Sequence, residues 1–171
     1  MSALGSAPPA TGSGAQTTTS IPAVHDGVAL WEIAAASRVL DVNSRYAYAL
    51  WCRDFAATSI VARLGDRVVG FVTGYLRPEQ PDTLFVWQVA VHDDARGRRV
   101  AATMLDDLVE RVGVPFLETS VTDDNTASIA MFSGLAERRS AHVERTELFG
   151  GALLGADHEA EFLYRIGPMD P

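Results

Sequence analysis

A short basic turn between a predicted strand and a predicted helix carries the clearest chemical signal in the sequence. Residues Leu84–Val91 are mostly β-branched or aromatic, which predicts a buried strand. Apolar residues recur at helical spacing over Val100–Val112, and Arg96–Arg99 lie between the two segments. The first turn of a helix offers free backbone N–H groups and the positive end of the helix dipole, and Gly97 allows close approach. The turn therefore predicts a phosphate site, the alternative being an ordinary strand–turn–helix with basic residues.

Composition limits the classes of function that the chain could serve. The 171 residues suit one domain with a sizeable core. The net charge of −8, from 14 basic and 22 acidic residues, argues against nucleic-acid binding, which needs clustered positive charge. The same acidity would attract a small cationic substrate, although it could equally serve only solubility. No apolar run reaches the roughly 18 residues of a membrane span, so no membrane partner is expected.

Cysteine and histidine positions argue against a disulfide or a metal site. The single cysteine, Cys52, lies in a segment with helical character, where a packing role is more common than a nucleophilic one. A reducing cytoplasm is the expected compartment. The four histidines are scattered without metal-ligand spacing, so no metal is expected.

The order of predicted elements indicates an α+β fold. Residues 1–20 lack bulky apolar side chains and predict a disordered tail, which leaves 21–171 as a single domain. The domain reads helix, helix, hairpin, strand, helix, strand, helix, strand, strand. A rigid polar loop is predicted over Arg77–Asp82, and another loop over Gly150–Asp157.

The basic turn resembles motif A of the GNAT superfamily of acetyl-coenzyme A-dependent N-acetyltransferases. The family pattern is (Gln/Arg)-x-x-Gly-x-(Gly/Ala), and here the segment reads Arg96-Gly97-Arg98-Arg99-Val100-Ala101. Arg96 and Ala101 match, whereas Arg99 stands where a glycine is usual. The resemblance implies a mixed, mostly antiparallel central sheet with helices on both faces.

This resemblance also implies acetyl-coenzyme A as co-substrate and a set of residues that hold it. Backbone groups of Val89 and Val91 would bind the pantetheine arm and the thioester carbonyl, while residues 96–99 and Ala101 would hold the pyrophosphate. Asn125 and Ser128 resemble the next coenzyme A segment of the family. A tyrosine seven positions after the asparagine usually protonates the leaving thiolate, but Phe132 stands there and has no proton to give.

The general base is also absent from its commonest place, because the early part of the central strand carries no glutamate. The base must come from elsewhere or act through water. The sequence leaves five candidates open: Asp41, Glu118, His158, Glu159 and Glu161.

Longer segments resemble one family in particular, the L-2,4-diaminobutyrate acetyltransferases of ectoine biosynthesis. The segments are Leu40–Tyr48, Thr58–Ala62, Gln80–His92, Leu117–Thr119, Asp124–Asn125 and His158–Glu161. The resemblance implies acetylation of the side-chain amine of diaminobutyrate by a homodimeric enzyme. Asp41 and Glu161 would then bind the two ammonium groups or accept a proton. Trp87 would form a wall over the substrate, and Tyr46 and His158 would contact its carboxylate or orient the acids.

Two other functions fit the same residues. One is a GNAT enzyme for another diamine, a polyamine or an antibiotic. The other is a non-catalytic acyl-coenzyme A-binding module, which the departures at Arg99 and Phe132 and the missing strand carboxylate would favour.

Overall fold

The computed structural model describes residues 16–155 and 158–170. Within this part the chain forms seven strands and five helices. The strands are β1 (Thr17–Ser20), β2 (Ile60–Leu64), β3 (Arg67–Arg77), β4 (Gln80–Val91), β5 (Phe116–Thr122), β6 (His142–Phe149) and β7 (Glu161–Gly167). The helices are α1 (Gly27–Ser37), α2 (Arg45–Asp54), α3 (Val100–Val112), α4 (Thr126–Arg138) and α5 (Gly151–Leu154).

All seven strands join one sheet in the order β1-β2-β3-β4-β5-β7-β6. The β4–β5 pair is parallel, and the other five pairs are antiparallel. The parallel pair needs a crossover, which α3 supplies. This arrangement confirms the predicted α+β fold with a mixed, mostly antiparallel sheet.

Helices cover both faces of the sheet, and alternation along the strands produces two cores. On β2, Ile60 and Ala62 belong to the core under α3 and α4, whereas Val61 belongs to the core under α1 and α2. The larger core contains Met104, Leu105 and Leu108 of α3. The smaller core contains, from α1 and α2, Leu30, Ile33, Ala34, Tyr48 and Cys52.

Local signals set the helix ends where the sequence predicts them. Ser44 caps α2 by accepting a hydrogen bond from the Ala47 N–H at 3.2 Å. Helix α3 ends at Gly113, which takes the left-handed conformation with φ of 67°. None of the helices in the described residues is long and apolar enough to span a bilayer.

Three predictions about the chain's organisation are wrong. The predicted tail ends too late, because Thr17–Ser20 pair with β2 as an edge strand; residues 1–15 lie outside the described residues. The predicted loop over Arg77–Asp82 is a tight turn, since β3 and β4 extend to Arg77 and from Gln80. The segment Gly150–Asp157 contains the short helix α5, and its last two residues lie outside the described part.

Strand β4 pairs with β5 over only part of its length. The parallel ladder runs from Thr83–Phe116 to Val86–Thr119 and then stops, while β4 continues along β3 to Val91. A register shift in the β3–β4 ladder pairs Thr73 with Gln88 but Gly74 with Val86, so Trp87 is an extra, bulged residue. The chain therefore opens a gap beside the second half of β4.

The contact between α1 and α2 can be tested with two helical glycines. A Cβ on Gly27 would lie 2.9 Å from the Ala49 backbone, whereas one on Gly134 would approach only the guanidinium end of Arg138, at 3.2 Å. We expect Gly27→Ala to lower the free energy of unfolding by about 1–3 kcal/mol, because backbone cannot move aside. Gly134→Ala should leave it unchanged or raise it by up to about 1 kcal/mol. Urea denaturation measures both, and equal effects would contradict the close packing.

Candidate active site

The predicted phosphate turn joins β4 to α3 as expected. The first intrahelical bond of α3 runs from the Thr103 N–H to the Arg99 carbonyl at 2.9 Å, so the N–H groups of residues 100–102 have no partner within the helix. A hollow of about 460 Å³ lies against this helix start, and we call it the phosphate hollow. Its lining residues are Val91, Ala95, Arg96, Gly97, Arg99, Val100, Ala101, Ala102, Ala127, Ala130 and Met131. Free amides, the helix dipole and arginines together favour an anion there.

Arg99 retains the backbone conformation that a glycine would adopt at its position. Its φ is 58°, in the left-handed region, and Gly97 lies nearby at 73°. The Arg99 side chain is exposed and forms part of the wall of the phosphate hollow. The substitution therefore keeps the geometry of the turn and adds a positive charge to it.

Backbone groups of Val89 and Val91 face the gap beside β4. The His92 N–H donates to the Val69 carbonyl at 2.8 Å, so in the alternating antiparallel pattern His92, Ala90 and Gln88 are the residues bonded to β3. Val89 and Val91 are then the non-bonded positions, and their N–H and C=O groups point towards β5. Because the β4–β5 ladder has already ended at Val86, these groups are available to a ligand.

A polar cleft of about 540 Å³ borders β4 and β5, and we call it the acidic cleft. Its lining residues are Val39, Leu40, Asp41, Asn43, Trp87, Gln88, Ser120, Thr122, Asp124, Asn125, His158, Glu159 and Glu161. Four of these side chains are carboxylates, and no lysine or arginine appears among the described lining residues. Such a wall favours a cationic ligand.

The indole of Trp87 forms part of the wall of the acidic cleft. It is 38% exposed and stacks on Trp51 of α2, with ring centroids 4.4 Å apart and an angle of 29°. Trp87 also lines a third hollow of about 390 Å³, together with Tyr75 and Phe85. The stack holds the free face of Trp87 where a cation could lie against it.

A comparison with known proteins identifies this combination of fold and site. Residues 28–135 match the profile of the acetyltransferase (GNAT) family. The chain belongs to the GNAT family. The L-2,4-diaminobutyric acid acetyltransferase of Streptomyces coelicolor is 57% identical in an alignment of 154 positions that covers 86% of this chain and 91% of that relative. The enzyme of the same name from Nocardia farcinica is 51% identical over 86% of this chain and 78% of its own length.

A solved structure agrees with these relatives. The diaminobutyrate acetyltransferase from Paenibacillus lautus, in complex with L-2,4-diaminobutyric acid and coenzyme A, superposes with a TM-score of 0.86. It is 36% identical, over 91% of this chain and 96% of that one. Within the GNAT family, the chain groups with the diaminobutyrate acetyltransferases, which confirms the resemblance predicted from its motifs.

The GNAT fold brings most of the predicted substrate residues together. Asp41, Trp87, His158 and Glu161 all line the acidic cleft, although they come from a loop, a strand and the approach to another strand. Tyr46 does not join them: it lies on α2, is 73% exposed and is not among the cleft residues. The prediction that Tyr46 contacts substrate therefore has no support from its position.

Of the two predicted coenzyme A residues at the start of α4, one lines a site and the other does not. The side chain of Asn125 accepts a hydrogen bond from the Ser128 N–H at 3.1 Å, so Asn125 is the N-cap of α4, and it also lines the acidic cleft. Ser128 lines neither the phosphate hollow nor the cleft. Arg98, in the turn, is exposed and lies outside the lining of the phosphate hollow. Phe132 is 3% exposed and packs in the larger core.

Glu118, one of the five candidate bases, has a structural environment. It is 3% exposed and accepts hydrogen bonds from Arg77 at 2.9 Å and Arg165 at 2.5 Å. It lines the third hollow and not the acidic cleft. Both of its oxygens are engaged in ion pairs away from the cleft, so the candidate bases that line the cleft are Asp41, His158, Glu159 and Glu161.

Cys52 is a packing residue, as the sequence predicts. It is buried in the smaller core. Burial, with a smaller contribution from the Asp26 charge, raises the pKa of the Cys52 thiol to about 11, so the reactive thiolate is scarce at neutral pH. Among the described residues no three His, Cys, Asp or Glu side chains cluster as metal ligands would.

Sequence reasoning missed Gln88, a buried lining residue of the cleft. An amide within an otherwise apolar strand was the available signal, because a buried amide needs partners. Asp124 was named only within a segment that resembles the family, with no role of its own, yet it lines the cleft. Ser120 and Thr122 were missed because small hydroxyl residues in a strand carry little information.

The structural role of Glu118 can be separated from a catalytic one. We expect Glu118→Gln to lower the free energy of unfolding by roughly 2–4 kcal/mol, because two partly exposed arginines would lose their anion. The pH dependence of kcat should keep its shape. Glu79→Gln, at an exposed carboxylate in the β3–β4 turn, is the stability control. An altered pH profile in a stable Glu118→Gln protein would instead identify Glu118 as a base.

Proposed function

We propose that this chain transfers the acetyl group of acetyl-coenzyme A to the 4-amino group of L-2,4-diaminobutyrate. The observation that carries the proposal is the adjacency of the acidic cleft to the free edge of β4. The acidic cleft can bind the two ammonium groups of a diamine, and the edge of β4 beside it can bind the acyl-carrying arm of coenzyme A. The named relatives and the substrate complex of the Paenibacillus lautus enzyme support the same choice. The product, N4-acetyl-L-2,4-diaminobutyrate, agrees with the ectoine route implied by the sequence motifs.

The cofactor lies along β4 and ends at α3. Its pyrophosphate binds the free N–H groups at the start of α3, with Arg96, Gly97 and Ala101 in the wall and the charges of Arg98 and Arg99 nearby. Its pantetheine arm forms a strand-like pairing with Val89 and Val91, whose backbone groups face the gap. A backbone N–H in this row polarises the thioester carbonyl.

The acidic cleft holds the diamine. Diaminobutyrate carries two ammonium groups and one carboxylate near neutral pH, and the four cleft carboxylates match the ammonium groups by charge-assisted hydrogen bonds. We assign Asp41 to the ammonium that does not react. Trp87 provides a wall for a cation–π contact with an ammonium group. His158 has a ring N–H that can donate a hydrogen bond to the substrate carboxylate.

Glu161 is the base that we propose. It is the first residue of β7, opposite Thr122 on β5, and it is partly buried, whereas Asp41 and Glu159 are exposed. A general base must lie within hydrogen-bond reach of the proton that it accepts, and Glu161 lines the acidic cleft from a strand, whereas Asp41 and Glu159 lie in loops. Glu161, directly or through a water, takes a proton from the 4-ammonium. The neutral amine then attacks the thioester carbon, the C–S bond breaks to release the thiolate of coenzyme A, and the nitrogen loses its second proton to solvent to give the neutral amide.

No acid from α4 protonates that thiolate. Phe132 is packed in the core and offers no proton, and α4 contributes mainly small apolar side chains to the phosphate hollow. A thiolate is a tolerable leaving group, because the pKa of a thiol is only about 8–9. The thiolate therefore leaves without an acid from this helix and is protonated afterwards by solvent.

The compartment and the oligomeric state stay predictions. A cytoplasmic location and a homodimer are expected from the sequence and its resemblance alone. Analytical ultracentrifugation of the purified protein would settle the oligomeric state.

The assay that tests the function follows free thiol while diaminobutyrate and acetyl-coenzyme A are mixed with the protein. We expect Glu161→Gln to lower kcat about 100-fold or more, because the proton acceptor is lost. Asp41→Asn should mainly raise the KM for diaminobutyrate, by about tenfold. A wild-type protein that binds coenzyme A but releases no thiol with any amine would overturn the proposal and favour a non-catalytic module.

Two glycines with the same left-handed backbone conformation allow cofactor binding to be tested separately from folding. Gly97 and Gly65 have φ of 73° and 58°, and a Cβ at either meets nothing within 4 Å. We expect alanine at either position to cost about 1–2 kcal/mol of stability, because left-handed backbone disfavours a side chain. Only Gly97→Ala should weaken coenzyme A binding, by about tenfold, since Gly65 lies in the β2–β3 turn. Calorimetry with coenzyme A measures the affinity. Equal affinities in the two variants would contradict the proposal that the pyrophosphate binds at this turn.

A further inference from the structure

Gln88 connects three separate elements through one buried amide. Its side chain is 5% exposed and bonded at both ends. The Tyr48 hydroxyl on α2 donates to Gln88 Oε1 at 3.0 Å, and Gln88 Nε2 donates to the backbone carbonyl of Asp41 at 2.9 Å. The strand β4, the helix α2 and the loop between α1 and α2 therefore meet at this amide.

The bulge in β4 explains why Gln88 reaches these partners. With Trp87 as the extra residue, Trp87 and Gln88 both project towards α2, where one stacks on Trp51 and the other bonds to Tyr48. In a regular strand the two side chains would face opposite sides of the sheet. The bulge thus places Trp87, which lines the acidic cleft, next to Gln88, which bonds to the loop that carries Asp41.

The α1–α2 loop, residues 38–44, is held by this bond and by the packing of Leu40 on the smaller core. Within the described part of the chain, the Gln88–Asp41 hydrogen bond is the one that ties the loop to the sheet. Two other loop bonds are local: the N–H of Leu40 donates to Ser37 Oγ at 3.3 Å, and Asn43 Nδ2 donates weakly to the Asp41 carbonyl at 3.5 Å. Asn43 also hydrogen-bonds to the Tyr48 hydroxyl, so the loop contacts the same chain of bonds at a second point. Burial raises the pKa of the Tyr48 hydroxyl above its ordinary value, so that end of the chain of bonds keeps its proton at neutral pH.

We propose that Gln88 is a positioning residue, which sets the distance between the Asp41 loop and Trp87 and thereby selects the length of the diamine. The proposal rests on the proposed function of the acidic cleft. An amide is required because one atom must accept from Tyr48 while the other donates to the Asp41 carbonyl. Glutamate keeps the size and the acceptor but cannot donate, and methionine keeps only the approximate size.

Steady-state kinetics with two substrates test this role. We expect Gln88→Met and Gln88→Glu to raise the KM for diaminobutyrate about tenfold, with the KM for acetyl-coenzyme A changed by less than about twofold. Their preference for diaminobutyrate over 2,3-diaminopropionate and ornithine should fall by about tenfold, because the loop no longer fixes the cleft length. Tyr48→Phe should shift the same quantities in the same direction by about threefold. Gln80→Met, at an exposed glutamine of the same strand, should change none of them.

Hydrogen exchange tests the bond without any substrate. Amides of residues 39–43 should exchange about tenfold faster in Gln88→Met than in the wild type, while amides of α3 keep their protection. Tyr48→Phe, which deletes one hydroxyl, serves if Gln88→Met does not fold. Unchanged exchange and an unchanged KM for the diamine in a folded variant would overturn the proposal, and so would equal rises in both KM values. If the wild type acetylates no diamine, the proposed function is wrong. The exchange result would still show whether the Gln88–Asp41 hydrogen bond holds the α1–α2 loop.

Discussion

The site depends on the point at which β4 stops pairing with β5. Up to Val86 the two strands form a parallel ladder, and beyond it the edge of β4 facing β5 has no strand beside it. Unpaired backbone groups inside a protein are costly unless a ligand or water satisfies them. The N–H and C=O groups of Val89 and Val91 therefore form a preformed edge for an extended ligand, and the start of α3 lies where that ligand would end.

Charge separates the two halves of the site. The phosphate hollow combines free helix amides with arginines, whereas the acidic cleft carries four carboxylates and a single histidine. A phosphate is repelled from the cleft and attracted to the helix start, and a diamine experiences the opposite preferences. The charges of the two halves thus direct each substrate to its own part of the site. The reacting amine and thioester then meet along β4. The acidic balance of the chain is used locally here and is not only a matter of solubility.

The sequence predicted those features of the fold that depend only on residues close together in the chain. The basic turn between β4 and α3 is decided within a few positions and lies where it was predicted. The glycine that ends α3 and the Asn125 cap of α4 are signals of the same local kind. Strand β1, the Trp87 bulge and the Glu118 ion pairs depend on register between distant segments, which one sequence does not reveal. Asp41, Trp87 and Glu161 were placed in one site by family resemblance alone, because they lie far apart in the chain. Tyr46 was placed there by the same reasoning, and its exposed position on α2 shows the limit of such a transfer.

Two of the three departures from the GNAT pattern, at Arg99 and Phe132, fall where side chains contribute least. Arg99 replaces a glycine, yet its backbone keeps the left-handed conformation that the turn needs. Phe132 replaces a proton donor, but it is buried in the core and the thiolate can leave without assistance. The parts of the site made from backbone tolerate side-chain change, since the free amides of α3 and the edge of β4 stay the same. The substrate side has no such tolerance, because its charges and the Gln88 amide are side-chain groups, and diamine selectivity is therefore where sequence change should alter function first.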